Sequence, residues 1–331
     1  MTAPLLAVDD LAKHFPVKTG FGRADTVLRA VDGVSFEIAR GETLGLVGES
    51  GSGKTTVGRT LIRLLDATAG RATLQTTDGP LAMLDVHGEA LRRMRRDVQM
   101  VFQDPYGSLN PRLTVGGILA EPLEIHSLCS RDETPARVAE LLDRAGLDAS
   151  YADSYPHEFS GGQRQRVGIA RALAVEPSLI IADEPVSALD VSVQAQIINL
   201  MAELQERLGL SYLFISHDLS VVRHISDRIA VMYLGRIVEI GPRDAVCQEP
   251  RHPYTRSLLS AVPSPDPTAR SDRVPLTGDM PDAADAPTGC PFHPRCPEVL
   301  PECAVTQQAL WPAGGPHAVA CHVATDAYDT P

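Results

Sequence analysis

The chain of 331 residues lacks several features that mark common classes of protein. No apolar run approaches the ~18 residues that a membrane-spanning helix needs, so we expect any membrane association to come through a partner. Basic residues are in the minority, 30 against 42 acidic ones, and the net charge of -12 argues against nucleic acid as the main partner. The first ten residues contain neither a basic segment nor a long apolar core, so the sequence predicts no signal peptide and a cytosolic protein.

Internal repeats and closely spaced cysteine pairs are absent as well. Because no motif recurs, we expect one copy of the main domain. Of six cysteines, Cys129 and Cys247 stand alone, and disulfides are not expected in a reducing compartment. The other four cluster near the end of the chain, without the Cys-x₂₋₄-Cys pair that is usual in zinc sites.

A glycine-rich loop is the first motif that the chain does contain. It follows the apolar run Thr43 to Val47 and precedes a helix predicted over Lys54 to Leu65, the context in which phosphate-binding loops occur. We expect its amides to cradle phosphates, Lys54 to reach the β- and γ-phosphates, and the Thr55 hydroxyl to ligate Mg²⁺. The predicted nucleotide-binding residues in this loop are Gly48, Glu49, Ser50, Gly51, Ser52, Gly53, Lys54, Thr55 and Thr56.

Polar side chains follow several apolar strands that alternate with helices, a pattern typical of a mainly parallel sheet. Asp183 and Glu184 end one such strand, Gln103 follows another, and His217 follows a third. An Asp in this position can hold Mg²⁺ through water, and an adjacent Glu can orient or deprotonate an attacking water. Taken alone, the acidic pair is as typical of a helix N-cap, the Gln of a solvated loop and the His of a structural residue.

The run Ser160-Gly161-Gly162-Gln163 predicts the second half of a divided site. Its hydroxyl and bare backbone amides suit a γ-phosphate. In one polypeptide it would lie far from the glycine-rich loop. We therefore expect two subunits to face each other, each completing the other's site.

In combination, these motifs resemble those of the ATP-binding cassette (ABC) family over about residues 5 to 260. The resemblance implies an α/β fold of the P-loop (RecA-like) type, with a mainly parallel sheet, an antiparallel β subdomain and an α-helical subdomain. It implies a nucleotide-binding domain over residues 1–250, with the helical subdomain at about 104–173. An irregular, Cys-rich C-terminal extension over 251–331 follows.

The same resemblance implies roles for single residues. Glu184, His217 and Gln103 would be catalytic, and Thr55, Gln103 and Asp183 would hold the Mg²⁺ that accompanies ATP. Phe15 would stack on adenine, although a core position is an equally good interpretation of it. Ser187 and Asp190 would belong to a loop that crosses the dimer interface, or would simply cap a helix.

Further segments are similar to the oligopeptide/dipeptide importer branch, in particular to the second of its two ATPase subunits. They are Val101 to Arg112, Ser187 to Gln194, Val231 to Gly235 and His252 to Thr255. This implies an ATP-hydrolysing subunit that powers import of peptides or a related small solute. Its partners would be a sister ATPase in a heterodimer, two membrane permeases and an extracytoplasmic solute-binding protein. The protein would lie peripherally at the cytoplasmic face of the membrane.

Two other functions stay open at this point. One is a soluble ABC ATPase that acts on nucleic acid or ribosomes, which the acidic charge disfavours. The other is a nucleotide-regulated metal or redox sensor built around the cysteine cluster.

The end of the chain carries the second candidate site. Val262 to Gly289 contains six prolines and predicts an extended arm. The four cysteines beyond it favour a [4Fe–4S] cluster, with zinc and free thiols as alternatives: Cys290, Cys296, Cys303 and Cys321. His293, His317 and His322 keep a mixed zinc site open.

Overall fold

The computed structural model describes residues 3–17, 26–104, 106–261, 276, 278–312 and 316–326. The strands in these ranges are β1 Leu6–Val17, β2 Thr26–Ile38, β3 Thr43–Val47, β4 Ala69–Thr76, β5 Gly79–Ala82, β6 Val98–Val101, β7 Leu179–Asp183, β8 Ser211–Ser216, β9 Arg228–Tyr233, β10 Arg236–Pro242, β11 Trp311–Pro312 and β12 Ala318–Val319.

The helices are α1 Lys54–Leu61, α2 Gly88–Asp97, α3 Val115–Ile125, α4 Thr134–Arg144, α5 Gly161–Leu173, α6 Val191–Leu208, α7 Leu219–Ile225, α8 Arg243–Gln248, α9 Pro253–Ser260 and α10 His322–Asp326. Across the described ranges, no helix has the length and apolarity that crossing a membrane requires. The chain divides into two compact units. The first comprises Met1–Leu5, Ile38–Glu42 and Leu74–Ile215, and the second comprises Leu6–Glu37, Thr43–Thr73 and Ser216–Pro331.

The first unit contains three neighbouring parallel strands, β6, β7 and β8. Val101 lies opposite Ala182, and Asp183 lies opposite Ile215. All residues of β7 are buried, as expected for a parallel strand that is covered on both faces. The carboxyl ends of β6 and β7 therefore share one edge of the sheet, directly before Gln103 and Glu184.

Helices α3, α4 and α5 of the same unit pack on one another. Each helix has buried apolar side chains, among them Leu119 on α3, Leu142 on α4 and Ile169 on α5. The Thr114 hydroxyl caps α3 by accepting from the Gly117 N–H at 3.2 Å. These helices lie where the resemblance to the ABC family placed a helical subdomain.

The second unit contains a sheet in which strands run in the order β11-β12-β10-β9-β3. β3 and β9 are parallel, whereas β9 and β10 form an antiparallel hairpin. Its turn uses Leu234 and Gly235, both with positive φ (44° and 82°). In a separate sheet, β2, β1 and β4 are neighbours in that order.

The C-terminal extension is more regular than predicted, because it adds strands to this sheet. β12 pairs antiparallel with β10, with Val319 opposite Glu239, and β11 pairs with β12. Two-residue strands give almost no sequence signal, so the pattern of residues did not predict them. Of the predicted arm, residues 262–275 and 277 lie outside the described residues, and 276 and 278–289 form neither helix nor strand.

A buried carboxylate fastens the extension to β10. Glu239 is 0% exposed and accepts hydrogen bonds from the backbone N–H groups of Arg251 and His252, at 2.8 and 3.0 Å. Its Oε1 also accepts from Nε2 of His317 at 2.7 Å. Burial by itself would raise the pKa of Glu239, but these hydrogen bonds outweigh it and hold the pKa below its ordinary value. Glu239 is therefore ionised at neutral pH, and its contacts fix β12 in register.

Candidate nucleotide site and the cysteine-bearing tail

The glycine-rich loop lies between β3 and α1 of the second unit, and its backbone explains its composition. Gly48, Gly51 and Gly53 have positive φ values of 157°, 84° and 104°. A Cβ on Gly48 would come within 2.1 Å of the Met232 carbonyl oxygen, and one on Gly53 within 2.0 Å of the Ala30 carbonyl oxygen. Side chains are excluded at both positions, so the loop brings bare backbone amides close together.

Lys54 begins α1 and is buried inside the loop. Its Nζ donates to the carbonyl oxygens of Gly48 and Glu49, at 2.7 and 2.8 Å, and to Ser52 Oγ at 3.2 Å. Gly53 is the N-cap of α1 and has no side chain that could cap the first turn of the helix. A fixed ammonium beside a helix N-terminus is suited to binding an anion.

Two other predicted ATP residues lie in this unit. Phe15 is half-buried on β1, and the Lys13 ammonium lies 4.8 Å from its ring centroid. The ring is thus accessible enough to stack on a base. His217 follows β8 and is exposed. The adenine role of Phe15 and the catalytic role of His217 stay predictions.

At the carboxyl edge of the first unit, two of the three predicted catalytic residues are in contact. Gln103 Nε2 donates to Glu184 Oε2 at 2.8 Å, across 81 positions of sequence. Asp183 is buried at the end of β7. Glu184 has a positive φ of 47°, which is strained for a residue with a Cβ. Its N–H donates to the Ile215 carbonyl at 2.9 Å and holds this conformation. Strain of this kind is typical of functional positions.

The Ser160 to Gln163 segment forms the N-terminus of α5. The Ser160 hydroxyl accepts from the Gln163 N–H at 3.3 Å, and Gln163 Oε1 accepts from the Ser160 N–H at 3.0 Å. This is a complete capping box. Gly161 and Gly162 have no positive φ. Instead, a Cβ on Gly162 would come within 2.4 Å of Val193 Cγ1, so close packing against α6 requires glycine here.

Ser187 and Asp190 occupy the segment between β7 and α6, and both have local structural roles. The Asp190 carboxylate accepts from the Val193 N–H at 3.0 Å and from the Ser192 hydroxyl at 2.6 Å, and thereby caps α6. Hydrogen bonds from Ser192 and the backbone lower the pKa of Asp190. Ser187 Oγ donates to the Glu184 carbonyl at 3.1 Å. The capping interpretation is therefore right for Asp190, and a role at a dimer interface stays a prediction.

Arginines on α5 fix the segment that follows Gln103. The guanidinium of Arg164 lies 3.7 Å from the ring centroid of Tyr106, a cation–π contact. Arg171 Nη1 donates to the Ser108 carbonyl at 2.6 Å. Tyr106 is still 67% exposed. Arg164 and Arg171 give no signal in the sequence, because arginine on a helix is normally solvated.

All four tail cysteines line one small cavity of the second unit, together with His252, His293 and His322. Each is a free thiol, and burial raises the pKa of Cys290 to about 11 and also raises the pKa of Cys296 and Cys321. Among the residues that the structure describes, no three His, Cys, Asp or Glu side chains form a group arranged to hold a metal ion. The predicted [4Fe–4S] cluster and its zinc alternative therefore lack geometric support, because convergence on a cavity does not by itself align the sulfurs.

Two protein families match this chain, each over a different region. The family described as "ABC transporter" matches residues 31–187, and "Oligopeptide/dipeptide transporter, C-terminal region" matches residues 238–303. The chain is 52% identical over 324 residues to the "Probable peptide ABC transporter ATP-binding protein" of Sinorhizobium fredii, covering 98% of this chain and 91% of that protein. It is also 52% identical to the Oligopeptide transport ATP-binding protein AppF of Bacillus subtilis, covering 96% and 97%.

Solved structures provide a second comparison. The ATP-binding cassette MJ0796, in a dimeric post-hydrolysis state bound to ADP and Pi, matches with a TM-score of 0.62 and 31% identity. The match covers 72% of this chain and 98% of that one. CbiO1 of Clostridium perfringens, part of the ABC transporter complex cbiONQ, matches with a TM-score of 0.63 and 27% identity, covering 75% and 92%.

Proposed function

The chain belongs to the family of ABC transporter ATP-binding proteins, and we propose that it is the ATP-hydrolysing subunit that powers peptide import through an ABC permease. The predicted family, P-loop α/β fold and ATPase class are thereby confirmed. The observation that carries the proposal is the presence of both family regions in one chain.

The residues divide the work of hydrolysis between binding and water activation. Lys54 and the amides of its loop bind the β- and γ-phosphates of ATP. Gln103 orients Glu184 through their hydrogen bond, and Glu184 accepts a proton from the attacking water. Mg²⁺ supplies charge neutralisation at the phosphates when bound, and the oxygen donors of Thr55, Gln103 and Asp183 are the ligand type it prefers.

Closure of two ATPase subunits on ATP is the proposed source of mechanical work. Ser160 to Gln163 would bind the γ-phosphate in the partner subunit's site, since the N-terminus of α5 suits an anion. We assign the partner as a sister ATPase, so the pair is a heterodimer. ATP then acts as a ligand with higher affinity for the closed state.

The permease contact is proposed at the exposed Tyr106 and the residues up to Arg112. The ring of Tyr106 lies on Arg164, in the first turn of α5, so displacement of one is transmitted to the other. Two membrane permeases and an extracytoplasmic solute-binding protein complete the assembly, with this chain at the cytoplasmic face of the membrane.

Reconstitution of this assembly tests the function. The chain is combined in proteoliposomes with its sister ATPase, the permease pair and the binding protein, and ATP hydrolysis is measured with di- and oligopeptides or with Ni²⁺. We expect peptides to stimulate hydrolysis and to accumulate inside. Stimulation by Ni²⁺ alone would show that the transported substrate is a metal ion and not a peptide. Full activity without the sister ATPase would contradict the heterodimer.

A metal centre in the tail is a separate proposal, supported by ligand chemistry and by the convergence of four thiols on one cavity. Metal binding would have to displace the thiol protons and draw the sulfurs together. Iron, sulfide and zinc analysis of anaerobically purified protein tests it. We expect about four irons per chain for a cubane cluster. Metal-free protein with four titratable thiols would reject the proposal.

A further inference from the structure

Every polar group of Glu49, the second residue of the phosphate-binding loop, has a partner. Its carbonyl oxygen accepts from Lys54 Nζ at 2.8 Å and from the Ser52 N–H at 3.2 Å. Its own N–H donates to the Tyr254 hydroxyl at 2.8 Å. Its carboxylate accepts from Nη1 and Nη2 of Arg295 at 3.1 and 3.2 Å. Glu49 therefore connects the phosphate-binding lysine to residues more than 200 positions later.

Arg295 is held firmly enough to position another residue. Its side chain is only 5% exposed. Nη1 also reaches the Tyr233 hydroxyl at 3.3 Å. The ring of Tyr233 packs edge-on against those of Tyr254 and Phe292, with centroids 4.7 and 5.3 Å apart, and all three rings are fully buried. A planar guanidinium in such a packed setting makes a fixed, two-pronged contact that lysine could not reproduce.

The charge of Glu49 makes this contact relevant to ATP. A carboxylate in a loop that binds a triphosphate opposes the ligand electrostatically, and low local dielectric strengthens that effect. A bidentate guanidinium offsets the charge and fixes the direction of the side chain. Removing Arg295 alone would leave a half-buried carboxylate without its counter-ion beside the phosphate site.

We propose that Arg295 is a positioning residue of the ATP site. It neutralises and orients Glu49, and through Glu49 it sets the position of the loop that holds Lys54. ATP affinity then depends on docking of the C-terminal region, which carries Arg295 immediately before Cys296. The proposal rests on the ATP-hydrolysing function stated above and assigns a part of that function to the extension.

A suppressor experiment separates this role from simple packing. ATP dissociation constants are measured on the purified full chain, and KM and kcat on the reconstituted transporter. We expect Arg295→Ala to raise the Kd and KM for ATP about tenfold, with kcat within about twofold of wild type, as loss of one compensating charge predicts. In the double variant Glu49→Gln with Arg295→Ala no carboxylate is left to compensate, so affinity should return to within about threefold of wild type.

Arg256→Ala is the matched control. It breaks another arginine–glutamate pair of the extension, to Glu298 at 2.8 Å, without a contact to the loop among the described residues. Its KM should equal that of wild type. A tenfold loss that persists in the double variant, or an equal loss in Arg256→Ala, would overturn the proposal in favour of general loosening of the fold.

The result also separates this inference from the function on which it rests. If wild type binds ATP, Lys54→Ala does not, and Arg295→Ala binds like wild type, then the inference is wrong and the function stands. If wild type itself fails to bind ATP, both are overturned.

Discussion

The two glycine-rich segments of the chain use glycine for different physical reasons. In the phosphate-binding loop, Gly48 and Gly53 have positive φ, and a Cβ would collide with backbone carbonyl oxygens at 2.1 and 2.0 Å. In the second segment, Ser160 to Gln163, here called the signature segment, the glycines are helical, and the conflict at Gly162 is with a side-chain methyl of Val193 at 2.4 Å. A steric clash with a backbone atom cannot be relieved by substituting a neighbour, whereas a clash with a side chain can be relieved by a smaller residue at that position.

The segments also differ in how they are anchored. The signature segment is held by its own residues, since Ser160 and Gln163 hydrogen-bond each other three positions apart. The phosphate-binding loop is held by its own Lys54 and, in addition, by Tyr254 and Arg295 from the C-terminal region. We therefore expect damage to the extension to reach the loop and to spare the signature segment.

The largest effect is expected for Gly53→Ala. Alanine at this position must adopt a φ near +104°, and its Cβ would collide with the Ala30 carbonyl oxygen, so the loop has to open. We predict that ATP affinity falls at least about 100-fold, because the anion-binding amides move apart. Gly51→Ala is the control: it shares a positive φ, but its Cβ would have nothing nearer than 4.0 Å, and it should lose much less. Equal losses, measured by calorimetry, would show that φ alone determines the loop.

The next largest effect is expected for Glu239→Gln, which should destabilise the phosphate-binding loop and leave α5 unchanged. An amide has one oxygen, but the carboxylate uses both, so one donor among Arg251, His252 and His317 must face an NH₂ group. We expect a loss of about 2–3 kcal/mol in unfolding free energy. Hydrogen exchange should accelerate in the extension and at residues 48–54, with the start of α5 unchanged. If hydrogen exchange accelerates at α5 as much as in the loop, the two segments do not differ in their dependence on the extension.

The pH dependence of this variant sharpens the test. The folded-state pKa of Glu239 is below its ordinary value of 4.5, so its stabilisation is complete above that value and is lost as pH falls through the folded pKa. The stability difference between wild type and Glu239→Gln should thus be constant near neutral pH and shrink below about 4.5. A difference that grows on acidification would contradict the assignment of an ionised Glu239.

Gly162→Ala should cost about 1–3 kcal/mol through overpacking against Val193. Because the obstacle is a side chain, Val193→Ala in the same chain should recover most of that loss. Gly168→Ala, also in α5, is the control with nothing within 4 Å of its Cβ, and it should be neutral or slightly stabilising. Thermal unfolding measures all four proteins. If Val193→Ala does not restore the stability of Gly162→Ala, then Gly162 is required for its backbone conformation and not for close packing against Val193.

The smallest effect on stability is expected for Ser160→Ala, about 1 kcal/mol, since only one half of the capping box is lost. The same variant should reduce hydrolysis in the assembled transporter far more than this stability loss explains, if its hydroxyl contacts the γ-phosphate of the partner's ATP. Ser160→Thr keeps the cap and the hydroxyl and should retain activity. If Ser160→Ala hydrolyses ATP at the wild-type rate, the only role of Ser160 is to cap α5.

The sequence predicted those parts of the molecule in which local pattern determines structure. The loop from Gly48 to Thr55 and the buried strand ending at Asp183 are each specified within a few residues. The sequence assigned Ser160, Gln103 and Glu184 to a nucleotide site, but it predicted neither the helix start at Ser160 nor the hydrogen bond between Gln103 and Glu184. The Arg295–Glu49 pair and strand β12 were not predicted, because they depend on residues 78 to 246 positions apart that have no joint pattern. A metal centre was predicted from ligand type and spacing, and neither of them shows whether the sulfurs are aligned for a metal ion.

Glu184→Gln tests the central claim of an ATP-hydrolysing motor most directly. The assembled transporter carrying this variant is incubated with radiolabelled ATP and Mg²⁺, and bound nucleotide and released phosphate are measured together. We predict ATP binding as tight as in wild type or tighter, with phosphate release at this subunit's site reduced at least about 1,000-fold, as loss of a general base requires. Phosphate release from that site at the wild-type rate would show that Glu184 is not the base of ATP hydrolysis.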